Sequence, residues 1–157
     1  MFCHGVDAWW CDSSEPYTPD WNYKNRPEPA KLYSEYIETT KDHMPAWALN
    51  AFALYHAKAL YEGQRGAQER YGQEKRVINL TRSSYTGQQR YGTILWSGDT
   101  EASWSTLRKQ IAAGLNFCTS GLPYWTTDIG AFFVKSGNQW FWKGDYPDGS
   151  KDLGYRE

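Results

Sequence analysis

Three apolar or aromatic runs in this chain end in an aspartate: "VDAWWCD" at Asp12, "TILWSGD" at Asp99 and "PYWTTD" at Asp128. A fourth run, "INLTR", ends in Arg82. Each run has the length and content of a strand, and helical segments stand between them. Strand alternating with helix is the pattern of parallel α/β folds. When parallel strands close into a (β/α) barrel, their C-terminal ends converge on one mouth. One charged residue at such an end reads as a helix cap or a loop residue. Four in register read as a site.

The finer pattern predicts the elements. Val6 to Trp10 reads as a short buried strand, followed by an irregular aromatic loop marked by Pro16, Pro19, Pro27 and Pro29. A short helix is expected over Leu32–Thr40. A longer one is expected over Asn50–Glu62, with Asn50 as N-cap, Phe52, Tyr55 and Ala59 on one side, and Gly63 and Gly66 ending it. Strands follow in "RVINLTRS", "GTILWSGD" and "LPYWTTDIG". Between the last two, "SWSTLRKQIAAGLNF" reads as a helix with Trp104, Leu107, Ile111 and Leu115 on one face. The tail, Lys135 to Glu157, reads as loop. A complete (β/α)8 barrel takes about 250 residues and eight strands. With 157 residues and four candidate strands, the expectation is a partial TIM barrel, residues 1–157 forming a fragment of one catalytic domain truncated at both ends.

Composition narrows the function. A net charge of −1 predicts no general attraction to nucleic acid or to acidic membranes. Cys3, Cys11 and Cys118 are odd in number and lack zinc-ligand spacing, which argues against a disulfide framework or a metal site. No apolar run is long enough to span a bilayer, and "MFCHGVDAWW" lacks the basic start and apolar core of a signal peptide. Nine Trp and twelve Tyr are more rings with polar tips than a core of this size needs. Flat apolar faces with a hydrogen-bonding edge suit sugar rings, although most such rings pack in protein interiors.

The motifs together resemble the central part of the catalytic barrel of glycoside hydrolase family 31, the family of α-glucosidases and α-xylosidases. Four segments match in order over roughly Gly5 to Phe132. "DAWWCDSSEP" resembles the nucleophile motif Trp-x-Asp-x-x-Glu, which implies Asp12 as nucleophile. "TRSSYTGQQRYG" resembles the segment whose first arginine, here Arg82, contacts the innermost sugar. "LWSGDTEASW" resembles the acid/base segment and implies Asp99 as proton donor, with Trp96 in the pocket. "GLPYWTTDIGAF" resembles the next strand end, with Asp128 in the site and Phe132 near its rim. The resemblance makes the strands β4 to β7 of the barrel. It also implies an aspartate on an early strand and a histidine on the last, in regions this chain does not contain; His4, His43 and His56 match no site position. Neither a metal nor an organic cofactor is implied.

The chemistry fits these residue types. Retaining glycosidases use two carboxyl groups about 5–5.5 Å apart. One attacks the anomeric carbon; the other protonates the leaving oxygen and then serves as base on water. Arg82 would favour ionised Asp12 and bind sugar hydroxyls, and an apolar setting beside Trp96 would favour protonated Asp99. On a strand, Trp10 shares a face with Asp12 and could floor the sugar pocket, while Trp9 points towards the helices. Glu15 reads as a carboxylate orienting the loop, and Asp7 as structural. The form "DAWWCDSSEP" is closer to xylosidase-type members than to the "WIDMNE" of common α-glucosidases. The expected function is therefore a retaining α-xylosidase acting on an oligosaccharide or other α-glycoside. The alternatives are an α-glucosidase or α-glucosyl-transferring enzyme, a non-catalytic sugar-binding protein, and an inert isolated fragment.

Overall fold

The computed structural model describes residues 5–16, 28–72 and 74–132. Along the chain run β1 (Trp9–Cys11), α1 (Pro29–Thr40), α2 (Phe52–Tyr71), β2 (Asn79–Thr81), β3 (Thr93–Trp96), α3 (Trp104–Thr119) and β4 (Trp125–Thr126). Two 3₁₀ turns, Ala46–Ala51 and Gln88–Tyr91, lead into α2 and β3. The strand order is β1-β2-β3-β4. β1 lies parallel to β2, with Trp9 opposite Asn79 and Cys11 opposite Thr81; β3 lies parallel to β4, with Leu95 opposite Trp125. These are the parallel strands and intervening helices expected of an α/β fold. Two compact units divide the chain, Met1–Thr93 and Ile94–Glu157.

In the first unit, α1 starts at Pro29, three residues earlier than expected, with proline in the first turn where its missing N–H costs nothing. α2 buries Ala53, Ala57, Gln64 and Gln68, a stripe at helical spacing. The expected side was different: Tyr55 and Ala59 are exposed. The expected end was different too. α2 runs through Gly63 and Gly66 and stops at Gly72, whose left-handed backbone (φ 63°) caps the carbonyls of Gln68 and Glu69. A glycine inside a helix costs about 1 kcal/mol relative to alanine. Contacts beside and beyond the glycines offset that cost. Gln64 accepts the Trp9 indole N–H at 2.8 Å, and Gln68 donates to the Lys75 carbonyl at 2.8 Å. Asn50 lies within the 3₁₀ turn, and the cap position is Ala51, with no side-chain cap bond.

The Trp9–Gln64 bond turns Trp9 to α2. Strand alternation then sets Trp10 on the other face, where it is 73% exposed. β1 is shorter than the expected Val6–Trp10 and shifted towards Asp12. Its ladder exists only where β2 lies alongside, beginning with the Trp9 N–H to the Ile78 carbonyl.

In the second unit, Ser103 caps α3, its Oγ accepting the Thr106 N–H at 3.2 Å. Gly114 is the buried residue of α3, and a Cβ there would come within 2.7 Å of the Trp125 ring. Phe117 stacks on the same ring at 6.0 Å. The expected apolar face is therefore not the packed one. Leu107 is half-buried, but Trp104, Ile111 and Leu115 are exposed. Close approach of the Trp125 ring needs a small residue, so helix orientation follows Gly114 rather than the largest side chains. Residues 17–27 of the expected proline-rich loop, and the Lys135–Glu157 tail, lie outside the described residues.

Candidate functional site

In the first unit the ends of β1 and β2 are joined by one buried hydroxyl. Ser14 is 2% exposed, and its Oγ accepts the backbone N–H of Arg82 at 3.0 Å and of Ser83 at 3.1 Å. Ser83 returns a bond from its own hydroxyl to the Ser14 carbonyl at 2.6 Å. This staple holds the "DSSE" and "TRSS" segments side by side. Buried Gln88 supports it from below, donating to Thr81 Oγ1 at 3.2 Å and to the Ser83 carbonyl at 3.1 Å.

The staple sets the Arg82 guanidinium between two carboxylates. Its Nη1 lies 3.0 Å from Asp12 Oδ1. Nε donates to Glu15 Oε2 at 3.2 Å, and Nη2 pairs with the other Glu15 oxygen and with Ser13 Oγ. Fork-shaped pairing of this kind fixes geometry as well as charge. Arg82 is mostly shielded, whereas the Asp12 carboxylate is 56% exposed and open to an incoming ligand. Asp12 also accepts the N–H of Ser13 at 2.7 Å, with Ser13 in the left-handed region (φ 50°). Beside it, burial pushes the Cys11 thiol pKa up. Asp7 stands apart, paired with Lys75 at 2.5 Å on the surface.

The second unit repeats the device at the ends of β3 and β4. Ser97 Oγ accepts the Thr127 hydroxyl at 3.1 Å and the Asp128 N–H at 3.4 Å. Trp96, just before it, is 7% exposed. Gly98 turns with φ 68°, and Asp99 follows it at the surface. The Asp128 loop folds back onto this segment through the Phe132 N–H and the Thr100 carbonyl at 3.0 Å. A cavity of about 120 Å³ opens among the loops after β3 and β4 and the start of α3.

The structure thus brings Asp12, Glu15 and Arg82 into one cluster, and Trp96, Asp99, Asp128 and Phe132 onto adjoining segments of the second unit. Sequence reasoning missed Ser14, Ser83, Ser97 and Gln88. The paired serines after Asp12 and after Arg82 were the available signal. Among the described residues no three potential metal ligands cluster, and no helix is long and apolar enough to cross a membrane.

Comparison with known proteins identifies the family and the fold. The profile of the "Glycosyl hydrolases family 31 TIM-barrel domain" matches residues 1–145. An α-xylosidase of Saccharolobus solfataricus is 48% identical over 134 residues, which cover 85% of this chain and 16% of that protein. The crystal structure of a family 31 α-xylosidase from Xanthomonas citri superposes with a TM-score of 0.62 at 34% identity, covering 87% of this chain and 14% of its own. A family 31 α-xylosidase from a soil metagenome, complexed with xylose, gives a TM-score of 0.63 at 32% identity over 84% of this chain and 17% of its own. The chain therefore spans about a sixth of the length of the relatives it matches.

Proposed function

The chain belongs to glycosyl hydrolase family 31, and from that premise we propose that it carries the catalytic carboxylates of a retaining α-glycosidase, with α-xylosides as the preferred substrates. In this reading residues 1–157 are one part of a longer (β/α)8 catalytic barrel. The observation that carries the proposal is Arg82, gripped by Glu15 and set 3.0 Å from Asp12. A cation held by one carboxylate and shared with a second, exposed one keeps that second carboxylate aimed for attack. The preference for xylosides rests on the names of the similar enzymes and on the "WWCDSSE" form of the motif.

Asp12 attacks the anomeric carbon, and a carbon–oxygen bond to the carboxylate forms as the glycosidic bond breaks. The departing oxygen keeps the bonding pair and takes the proton of Asp99. Water then attacks the glycosyl ester, giving its proton to Asp99 and releasing Asp12. Arg82 and Asp128 bind sugar hydroxyls, Trp10 and Trp96 offer apolar surface to the ring, and Phe132 stands at the rim. Glu15 positions Arg82.

Azide separates the two carboxyl roles. In the protein carrying the whole barrel, Asp99→Ala should nearly abolish cleavage of natural glycosides, a general acid being worth roughly 10²–10⁴-fold. An α-glycosyl fluoride should still react, and added azide, which needs no base, should give the α-azide with retained configuration. Asp12→Ala with azide and the same α-glycosyl fluoride should instead give the β-azide by single displacement, and should turn over no α-glycoside through a covalent intermediate. Equal losses on natural and activated substrates in Asp99→Ala would place the acid elsewhere. Parallel assays with aryl α-xyloside and aryl α-glucoside decide the sugar.

A further inference from the structure

The parallel register of β1 and β2 stops one residue short of the charges. Its last pair is Cys11 and Thr81, and Asp12 and Arg82 come next. Past that point Ser14 ties the two segments, its Oγ accepting the backbone N–H groups of both Arg82 and Ser83. One oxygen thus fixes the Arg82 backbone against a residue two positions from Asp12. Ser14 is buried, so it meets no sugar itself.

The protons of this staple have one arrangement. Two N–H groups occupy the acceptor lone pairs of Ser14 Oγ. Its own hydroxyl is then the donor in the 3.0 Å contact with Ser83 Oγ. Ser83 in turn gives its proton to the Ser14 carbonyl at 2.6 Å. The bonds close into a ring, and neither hydroxyl can turn without breaking one. A buried network satisfied in this way is rigid. Alanine at position 14 takes the shared acceptor from both N–H groups, and an unpaired buried N–H is costly. The Arg82–Ser83 peptide must then shift to find another acceptor, and it carries the guanidinium with it.

We propose that Ser14 is a positioning residue for the nucleophile: acting through Arg82, its hydroxyl holds Nη1 at 3.0 Å from Asp12 as that carboxylate attacks. The role rests on the glycosidase reading and adds to it a residue that touches neither sugar nor reacting atom. Ser14 also differs from Glu15. Glu15 grips the guanidinium itself, whereas Ser14 anchors the backbone from which the guanidinium extends.

The test uses the protein carrying the whole barrel, with rates taken per folded molecule from circular dichroism. Ser14→Ala should lower kcat/KM about ten- to a hundredfold, since a displacement of about 1 Å costs on the order of 10²-fold. Two readouts separate lost aim from general loosening. First, the loss should agree to within about twofold on an α-xylosyl disaccharide and on α-xylosyl fluoride, because the nucleophile serves both. A loosened site would also harm the Asp99 step and cost more on the disaccharide. Second, in an Arg82→Ala background Ser14→Ala should cost less than about threefold on the fluoride, because no guanidinium is left to aim. If Ser14→Ala does not fold, Ser14→Cys replaces it, sulfur being a weaker acceptor of similar size; a loss of about threefold or more is then expected, again absent without Arg82. A folded variant with wild-type rates, a larger loss on the disaccharide, or the same loss with and without Arg82 would overturn the role and leave the glycosidase reading in place. A wild type that cleaves neither substrate would overturn both.

Discussion

At the scale of single residues, Arg82 is where the first unit concentrates its charge. It meets Asp12, Glu15 and Ser13 through different nitrogens of one planar group. Lysine keeps the charge but offers a single point. Arg82→Lys should therefore lower kcat/KM on aryl α-glycosides about ten- to a hundredfold, each lost charged hydrogen bond being worth roughly 1.5–3 kcal/mol. Near-wild-type kinetics would show that charge alone is needed there. His56 tests a different quantity. It lies half-buried on α2, its Nδ1 has no hydrogen-bond partner, and desolvation lowers its pKa below the usual 6.5. The unfolded chain then takes up a proton before the folded one as pH falls. The stability tied to neutral His56 is complete above pH 6.5 and is lost as pH drops through the folded value. The urea midpoint should fall between pH 7.5 and 5.5 by less in His56→Gln than in wild type, provided both are measured in the same buffers. Equal falls would mean that His56 titrates normally.

At the scale of elements, local signals located the helices and strands but not their ends or faces. The charged strand ends were legible because an aspartate or arginine closing an apolar run stands out in any sequence. The hydroxyl staples of Ser14 and Ser97 were not, since a serine has no periodic signature and its partners lie 69 and 31 residues away. Gly63 and Gly66 read as a helix end because propensity is local; Gln64 and Gln68 carried the helix past them by bonds to β1 and to the loop before β2. Gly114 carried no such signal, though it sets how α3 lies on β4. These glycines give opposite predictions. Gly114→Ala drives a Cβ to 2.7 Å from the Trp125 ring and should destabilise by about 1–3 kcal/mol, as overpacking does. At Gly63 a Cβ meets nothing within 4 Å, and Gly63→Ala should stabilise by about 0.5–1 kcal/mol. Urea midpoints of the two variants should move in opposite directions. A neutral Gly114→Ala would show that α3 is not seated on Trp125.

At the scale of the whole molecule, four strands among the described residues set a limit on what the chain can do alone. In the order β1-β2-β3-β4, β1 and β4 are the outer strands among those described. A barrel removes such edges only by closing on itself, and closure in this family's fold takes eight strands. The exposed apolar residues point the same way. Trp104, Ile111 and Leu115 form an outward stripe on α3, and Trp47 beside α2 is 84% exposed. Surface of this kind is covered in a closed barrel by neighbouring helices, and uncovered it favours association. Catalysis adds a stricter demand, since nucleophile and acid must be held about 5–5.5 Å apart. A misplacement of about 1 Å costs on the order of 10²-fold. Strand ends keep that spacing only when the barrel fixes their tilt and stagger. The 157-residue chain expressed by itself should therefore show no turnover of aryl α-xyloside or aryl α-glucoside, and its apparent mass in solution should rise with concentration. The same chain within its complete barrel should hydrolyse at least one of them. Robust turnover by the isolated chain would mean that four strands and two serine staples hold Asp12 and Asp99 in register without the rest of the wall.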